Sequence, residues 1–463
     1  MKRIAHISFL LFLTAVTLLW SCQEKENPTT PEDPTEQEPE KDPGEYKGLI
    51  PQGLDELPRV YIHTHGKGVS HEKTEWTELC DITIRVKRAG KDSVAFRADS
   101  LKIRGHGNSS WECYPKKPYN LKLKNGANLI GTGSTKRWVL LANWMDRTLL
   151  RNDVALEAAR RTGLEWTPSG IFVELYLDSD MTEDGYRHVG NYWLGERIHV
   201  EKSHFLCDYL FTMDTCNFPY EQDYMTELGF GGDKGYGLPV EVKHPDRDDY
   251  TDAEFDKILS DSKDFLSQVE QKIYSWRDDF ASLIDVDSFC DWYLLHELTG
   301  NEEVVHPKSV YLYARDGKLY MGPVWDFDWG TFKPKESRLL ISRTIYFGNV
   351  KLPSDGIERA GLLQYPAFKK RLKERWRTLK PKFQTLDTYI DKQADWIRAS
   401  EAVNYSLWPI YGLAMDGRYY NGNPLEGGEV NQDERLGFQQ AVDKMKTSLA
   451  QRISDLDVLI EAL

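Results

Sequence analysis

Three short runs near the start of the chain alternate apolar with polar residues: Arg59-Val-Tyr-Ile-His63, Asp81-Ile-Thr-Ile-Arg-Val86 and Ser100-Leu-Lys-Ile-Arg104, each bounded by Gly, Asp or Ser. A period of two sends successive side chains to opposite faces, so each run can bury one face and wet the other, as strands of an antiparallel sheet do. Wound into a helix, the same residues would scatter their apolar groups around the axis. Residues from about 55 to 125 are therefore expected to be mostly sheet. Further strands are expected at Asn120–Lys124 and Trp138–Asn143, and Gly170–Leu177 with Gly190–Glu196 reads as a hairpin pair. One helix, from about Arg147 to Arg161 with Asp146 as its cap, interrupts them.

Beyond Glu201 the period changes. Asp252–Trp276 and Asp285–Leu298 carry apolar residues three and four apart, among them Phe255, Ile258, Phe265 and Val269, with Asp252 and Asp285 placed as caps. Ala367–Ser400 and Glu434–Leu463 read as long amphipathic helices joined by an aromatic loop with Trp408, Tyr411, Tyr419 and Tyr420. Pro239–Lys243 is a short strand, and Ser309–Ala314 begins a hairpin that turns at Asp316-Gly317 and runs on into Trp325–Asp328. The fold class expected is α+β, with a β-rich lobe over about 55–200 and a mostly helical part over about 201–463.

The first 48 residues follow other rules. Lys2 and Arg3 precede an apolar run, Ile7–Leu19, too short to span a bilayer comfortably, which reads as an export signal. It ends at Leu19-Trp20-Ser21-Cys22, which looks like a bacterial lipobox, with the lipid carried by Cys22. Residues 1–22 are thus expected to be a lipoprotein signal peptide, and the membrane a partner through that lipid. Residues 23–48, rich in Glu, Pro, Thr, Asp and Lys, form an acidic tether that buries too little to order itself. Glu24 and Glu26 behind the lipidated cysteine resemble surface-export tags, so the expected location is the outer membrane, facing out of the cell. Residues 49–463 form the folded domain, and a formal charge of -14 argues against nucleic acid as its partner. Five further cysteines form no C-x-x-C pair; an exported compartment would permit one bridge, for example between Cys207 and Cys216, and buried thiols are the other reading.

Two stretches carry chemistry. On a strand, Asp326 and Asp328 would share one face with Trp325, Phe327 and Trp329 on the other, a candidate divalent-metal site. The loop Arg104-Gly-His-Gly-Asn-Ser-Ser-Trp111 offers backbone N–H groups and hydroxyls to an anion, with lysines on the strand that follows to neutralise it. Gly131–Lys136 and Gly229–Gly237 lack the spacing of nucleotide-binding glycine loops.

Arg104–Trp111 with Lys116–Leu123, then Trp138–Asn152, Gly190–Glu196 and Trp325–Asp328, in that order, resemble the CotH family, over roughly residues 55 to 380. The resemblance implies a divergent, atypical protein-kinase-like fold with Mg²⁺ (or Mn²⁺) and ATP as cofactors and a protein hydroxyl as acceptor. It implies a phosphate-contacting lysine at Lys117 or Lys122, flanked by Arg104, Asn108 and Ser109, and metal held by Asp326 with Asp328 beside it. Where active relatives carry an aspartate and then an asparagine, this chain has Glu302-Glu303 and Lys308-Ser309. That assigns the base to Glu303 or Glu302 and a metal oxygen to Ser309. The extra methylene of glutamate displaces the carboxylate by about an ångström, a shift that can cost about a hundredfold in rate. A non-catalytic surface protein for adhesion or glycan binding is the alternative, suited by 14 Trp and 24 Tyr. A glycosidase carboxylate pair is a third reading.

Overall fold

In the computed structural model, β1 (Arg59–His63), β2 (Thr77–Arg88), β3 (Lys91–Gly105), β4 (Tyr119–Ala127), β5 (Thr135–Leu141), β6 (Gly170–Asp178) and β7 (Tyr186–Glu196) close into a barrel in the order β1-β2-β3-β4-β5-β7-β6. The residues described are 53–463 without 145, 179–184, 202–204, 215–228, 231–239, 276, 306, 352–357, 411–418, 421–422, 425–432 and 434–435. The expected signal peptide, the cysteine expected to carry lipid (Cys22), the expected tether, Cys216 as a candidate bridge partner, and most of Gly229–Gly237 therefore lie outside the described residues.

The alternation works as expected. Val60 and Ile62 stand opposite Ile84 and Ile82 across β1 and β2, and all four are buried inside the barrel. Closure was not legible, because it depends on β1 pairing in parallel with β6, more than a hundred residues away (Arg59 opposite Glu174). It leaves no strand edge to protect. At one point the wall needs glycine. The Trp193 indole lies against Gly170 and Gly195, which face each other across β6 and β7, and a Cβ on Gly195 would fall 1.9 Å from its ring. Gly195→Ala is expected to cost at least about 1–3 kcal/mol, read as a lower midpoint in urea denaturation; an unchanged midpoint would refute this packing.

The helix expected at Arg147 begins a turn later, as α2 (Arg151–Arg160), counting the short α1 (Ser109–Glu112) before it. Asp146 instead braces the preceding turn, accepting from the N–H groups of Thr148 (2.9 Å) and Arg151 (2.7 Å). A second sheet lies in the later part of the chain: β8 (Tyr209–Met213), β9 (Gly229–Phe230), β10 (Val240–His244), β11 (Val310–Arg315) and β12 (Lys318–Met321), in the order β12-β11-β8-β10-β9. The β11–β12 turn is the expected Asp316-Gly317 pair, both with positive φ. However, β12 stops at Met321. Pro323 has no N–H for a ladder, so Asp326 and Asp328 stand on irregular chain rather than on a strand.

Helices α3 (Asp252–Ile273), α4 (Val286–Thr299), α5 (Pro366–Gln384), α6 (Leu386–Leu407) and α7 (Phe438–Glu461) complete the fold. Asp285 caps α4, accepting from Ser288 N–H at 2.8 Å, but α3 is capped by Thr251, in a reciprocal pair with Glu254, not by Asp252. The single helix expected over 367–400 is two, broken at Thr385. Pro381 removes an N–H near the end of α5, and Arg161 donates to the carbonyl of Lys382 and the hydroxyl of Thr385, both at 2.7 Å. Buried almost all round, α4 is central to the helical part and ends at Gly300, whose φ of 65° turns the chain out of the helix.

Candidate functional site

That turn delivers Asn301 and a short 3-10 turn, Glu302–Val305, to the mouth of a cleft of about 230 Å³. Asn301 organises it, accepting from the N–H of Glu303 (3.2 Å) and donating to the carbonyl of Asp326 (3.4 Å). The opposite wall comes from the barrel: the loop His106–Ser110 and the end of β5 through Trp144. Asn152 of α2 ties the two walls. Its side-chain Oδ1 accepts from Phe327 N–H at 2.7 Å and its side-chain amide donates to Asn143 Oδ1 at 3.1 Å.

Backbone strain collects here. Asn143, Ser309 and Asp326 line the cleft with φ of 47°, 52° and 69°, in the left-handed region that non-glycine residues seldom occupy. Gly107 has φ 74°, and a Cβ there would meet the Ser110 hydroxyl at 2.0 Å.

Four carboxyl groups, Asp214, Glu303, Asp326 and Asp328, face the cleft with Lys308 as its cation among the described residues. Ser309 donates to Asp326 at 3.1 Å, Lys308 lies 3.9 Å from Glu303, and the carboxyls of Asp326 and Asp328 hydrogen-bond each other. Burial, then the charges of Asp326 and Asp328, push Glu303 up to about 8. Burial raises Asp326 and Asp328 too, with Asp214 adding repulsion on Asp326 and Asp326 on Asp328. His106 is driven the other way, to about 3, by burial and by Arg197, so its imidazole is neutral. A cleft in which carboxylates resist ionising is prepared for a cation.

The stability consequence has a definite sign. A carboxyl that titrates at 4.5 unfolded and about 8 folded contributes stability that is complete below 4.5 and lost as pH rises through about 8. The melting temperature of the native protein is expected to fall across that window, and Glu303→Gln to flatten the fall. Parallel profiles for the two proteins would contradict it.

Of the residues singled out from sequence, Asn108, Ser109, Glu303, Ser309, Asp326 and Asp328 meet at this cleft, although Asn108 also accepts from Lys73 at 2.7 Å. The others do not line it. Lys117 donates to the Trp111 carbonyl and lies 5.6 Å from that indole. Lys122 alternates with the inward Leu121 and Leu123, so it points off the barrel. Arg104 stacks on Trp76 at 4.5 Å and donates to the Thr74 carbonyl. Glu302 pairs with Lys335, which outweighs burial and holds its carboxyl below the usual range. Sequence reasoning missed Asp214, Asn143 and Asn152, and gave no role to Lys308, which it named only beside Ser309. The two asparagines fall within the Trp138–Asn152 stretch already singled out, whereas Asp214 reaches the cleft only because Met213 pairs with Val310, setting it beside Ser309.

With this geometry in hand, comparison with known families gives one match: a family model described as CotH kinase protein aligns with residues 103–455, about three quarters of the chain. It spans both walls of the cleft. No curated protein matches the chain significantly.

Proposed function

The chain belongs to the CotH kinase family, and from that premise we propose that it is an exported, surface-tethered protein with a kinase-like fold that transfers a phosphoryl group from magnesium-bound (or manganese-bound) ATP to a hydroxyl of a protein. The observation that carries this reading is the convergence of Glu303, Ser309, Asp326 and Asp328 with the loop His106–Ser110 on one cleft.

The donor set fits a hard divalent cation. Asp326, Asp328 and Ser309 offer oxygens only, and magnesium takes one or two carboxylates and completes its shell with water and phosphate oxygens. When bound, the metal neutralises phosphate charge and ATP supplies the phosphoryl group. The protein's own part is positioning and proton transfer. Backbone N–H groups of Asn108–Ser110, the Ser109 and Ser110 hydroxyls and the Lys308 ammonium would meet phosphate oxygens, rather than Lys117 or Lys122. Glu303 would accept the proton of the acceptor hydroxyl as that oxygen attacks the terminal phosphorus and the phosphorus–oxygen bond to the departing ADP breaks; a cation on Asp326 and Asp328 would remove the charges that, after burial, raise its carboxyl.

The second reading is a non-catalytic surface lipoprotein that uses the cleft for adhesion or glycan binding. What favours it is the displacement of Lys117, Lys122 and Arg104 from the cleft, together with Trp144, Trp325 and Trp329 in its lining. Labelled phosphate from ATP, followed into casein and into the protein itself, separates the two. The kinase reading expects magnesium-dependent incorporation that Glu303→Gln lowers by at least about a hundredfold while nucleotide binding persists. No incorporation by a protein that binds sugars on a glycan array would favour the second.

A further inference from the structure

Outside the stretch matched by the family, the end of β1 carries a separate group of metal-ligating side chains. His63, its last residue, stands opposite Asp81 in the antiparallel pairing with β2, and His65 follows two residues on. The Nδ1 atoms of His63 and His65 are 3.2 Å apart, and one ligand atom from each of His63, His65 and Asp81 lies within 4.8 Å of the other two. None of the three lines the cleft.

Two features distinguish this group from a chance meeting on the surface. The first is spacing. Tetrahedral zinc with bonds of about 2.0–2.1 Å sets its ligand atoms about 3.3 Å apart, close to the separation of the two imidazole nitrogens. The second is rigidity. Asp178 accepts from Thr64 N–H at 2.9 Å, from the Thr64 hydroxyl and from Gly66 N–H at 3.3 Å, while the Thr64 hydroxyl accepts from Gly68 N–H at 2.8 Å. This clamp holds the turn on both sides of His65, which it keeps at φ 56°. A ligand fixed in a strained conformation by neighbouring hydrogen bonds is preorganised.

We propose that His63, His65 and Asp81 form a second, independent metal site that takes zinc, with a fourth position open to solvent or to a donor from a partner. Two imidazoles and one carboxylate select a borderline transition metal over the magnesium suited to the all-oxygen cleft. The bland alternative is a plain hydrogen bond between the two imidazoles. The Asp81 carboxylate lies 3.5 Å from His65 Nε2, within ion-pair reach of a protonated imidazole, so the same alternative would include that pair, and zinc titration tells the two apart.

The test is titration of the full chain with zinc chloride by calorimetry, backed by the visible spectrum after cobalt(II) substitution. The expected result is one zinc per chain and the intense visible bands of tetrahedral cobalt. His65→Ala should weaken zinc by at least about a hundredfold and Asp81→Asn by at least about tenfold, each with its metal-free melting temperature near native. Asp326→Asn should leave zinc binding intact. No zinc uptake by the native protein, uptake indifferent to both His65→Ala and Asp81→Asn, or uptake lost in Asp326→Asn would each overturn the proposal.

Discussion

Asp326→Asn is expected to abolish magnesium-dependent phosphate transfer, lowering it by more than about a hundredfold, while making the metal-free protein more stable. The two effects have one cause. Asp326 sits among Asp214, Glu303 and Asp328, where burial and repulsion already raise its carboxyl, so a neutral side chain relieves the cluster but removes the proposed leading cation ligand. Asparagine tolerates the φ of 69° and can keep the contact with Ser309, which limits the change to charge. The measurements are labelled-phosphate incorporation and the melting temperature without metal. A variant that loses both activity and stability would mean that Asp326 serves the fold rather than a cation.

Arg151 carries the largest expected loss of stability. Its guanidinium is buried and joins three parts of the chain: it pairs with Asp146, pairs with Asp433 at 2.6 Å and donates to the Thr331 carbonyl at 2.9 Å. Asp146 and Asp433 are themselves fully buried, with Lys444 reaching Asp433 at 2.8 Å from its other side. Arg151→Met removes the shared cation and leaves buried carboxylates short of a partner, which costs about 3–5 kcal/mol. Because Asn152 next to it holds Phe327 in place, the cleft should loosen as well, and transfer should fall even at temperatures where the variant stays folded. Urea denaturation reads the first effect; a loss below about 1 kcal/mol would show that the carboxylates find water or other partners.

How much of this was readable beforehand differs with the physics involved. The strands of the barrel announced themselves through period two, and Asp316-Gly317 through the φ > 0 its turn requires. Pro323 signals the end of β12, against the alternation of Trp325–Asp328, which by itself suggests a continuing strand. Lys122 carries two signals: the family motif implies a phosphate contact, whereas its neighbours Leu121 and Leu123 mark it as part of an outward, solvated lysine face, and the structure has it facing out. Asp214 and the barrel closure were not available to any local reading, since both rest on pairings between distant strands. The aspartates of the irregular segment still reached the cleft, held there by Asn152 and Asn301 rather than by a pleat.

The proposed activity requires that the cleft bind nucleotide through a divalent cation held by Asp326, Asp328 and Ser309. Calorimetric titration of the full chain with ATP, with and without magnesium, tests it most directly. One saturable site per chain is expected with magnesium, little heat without it, and none in Asp326→Asn under either condition. Saturable binding that is equal with and without magnesium, or that survives in Asp326→Asn, would contradict it.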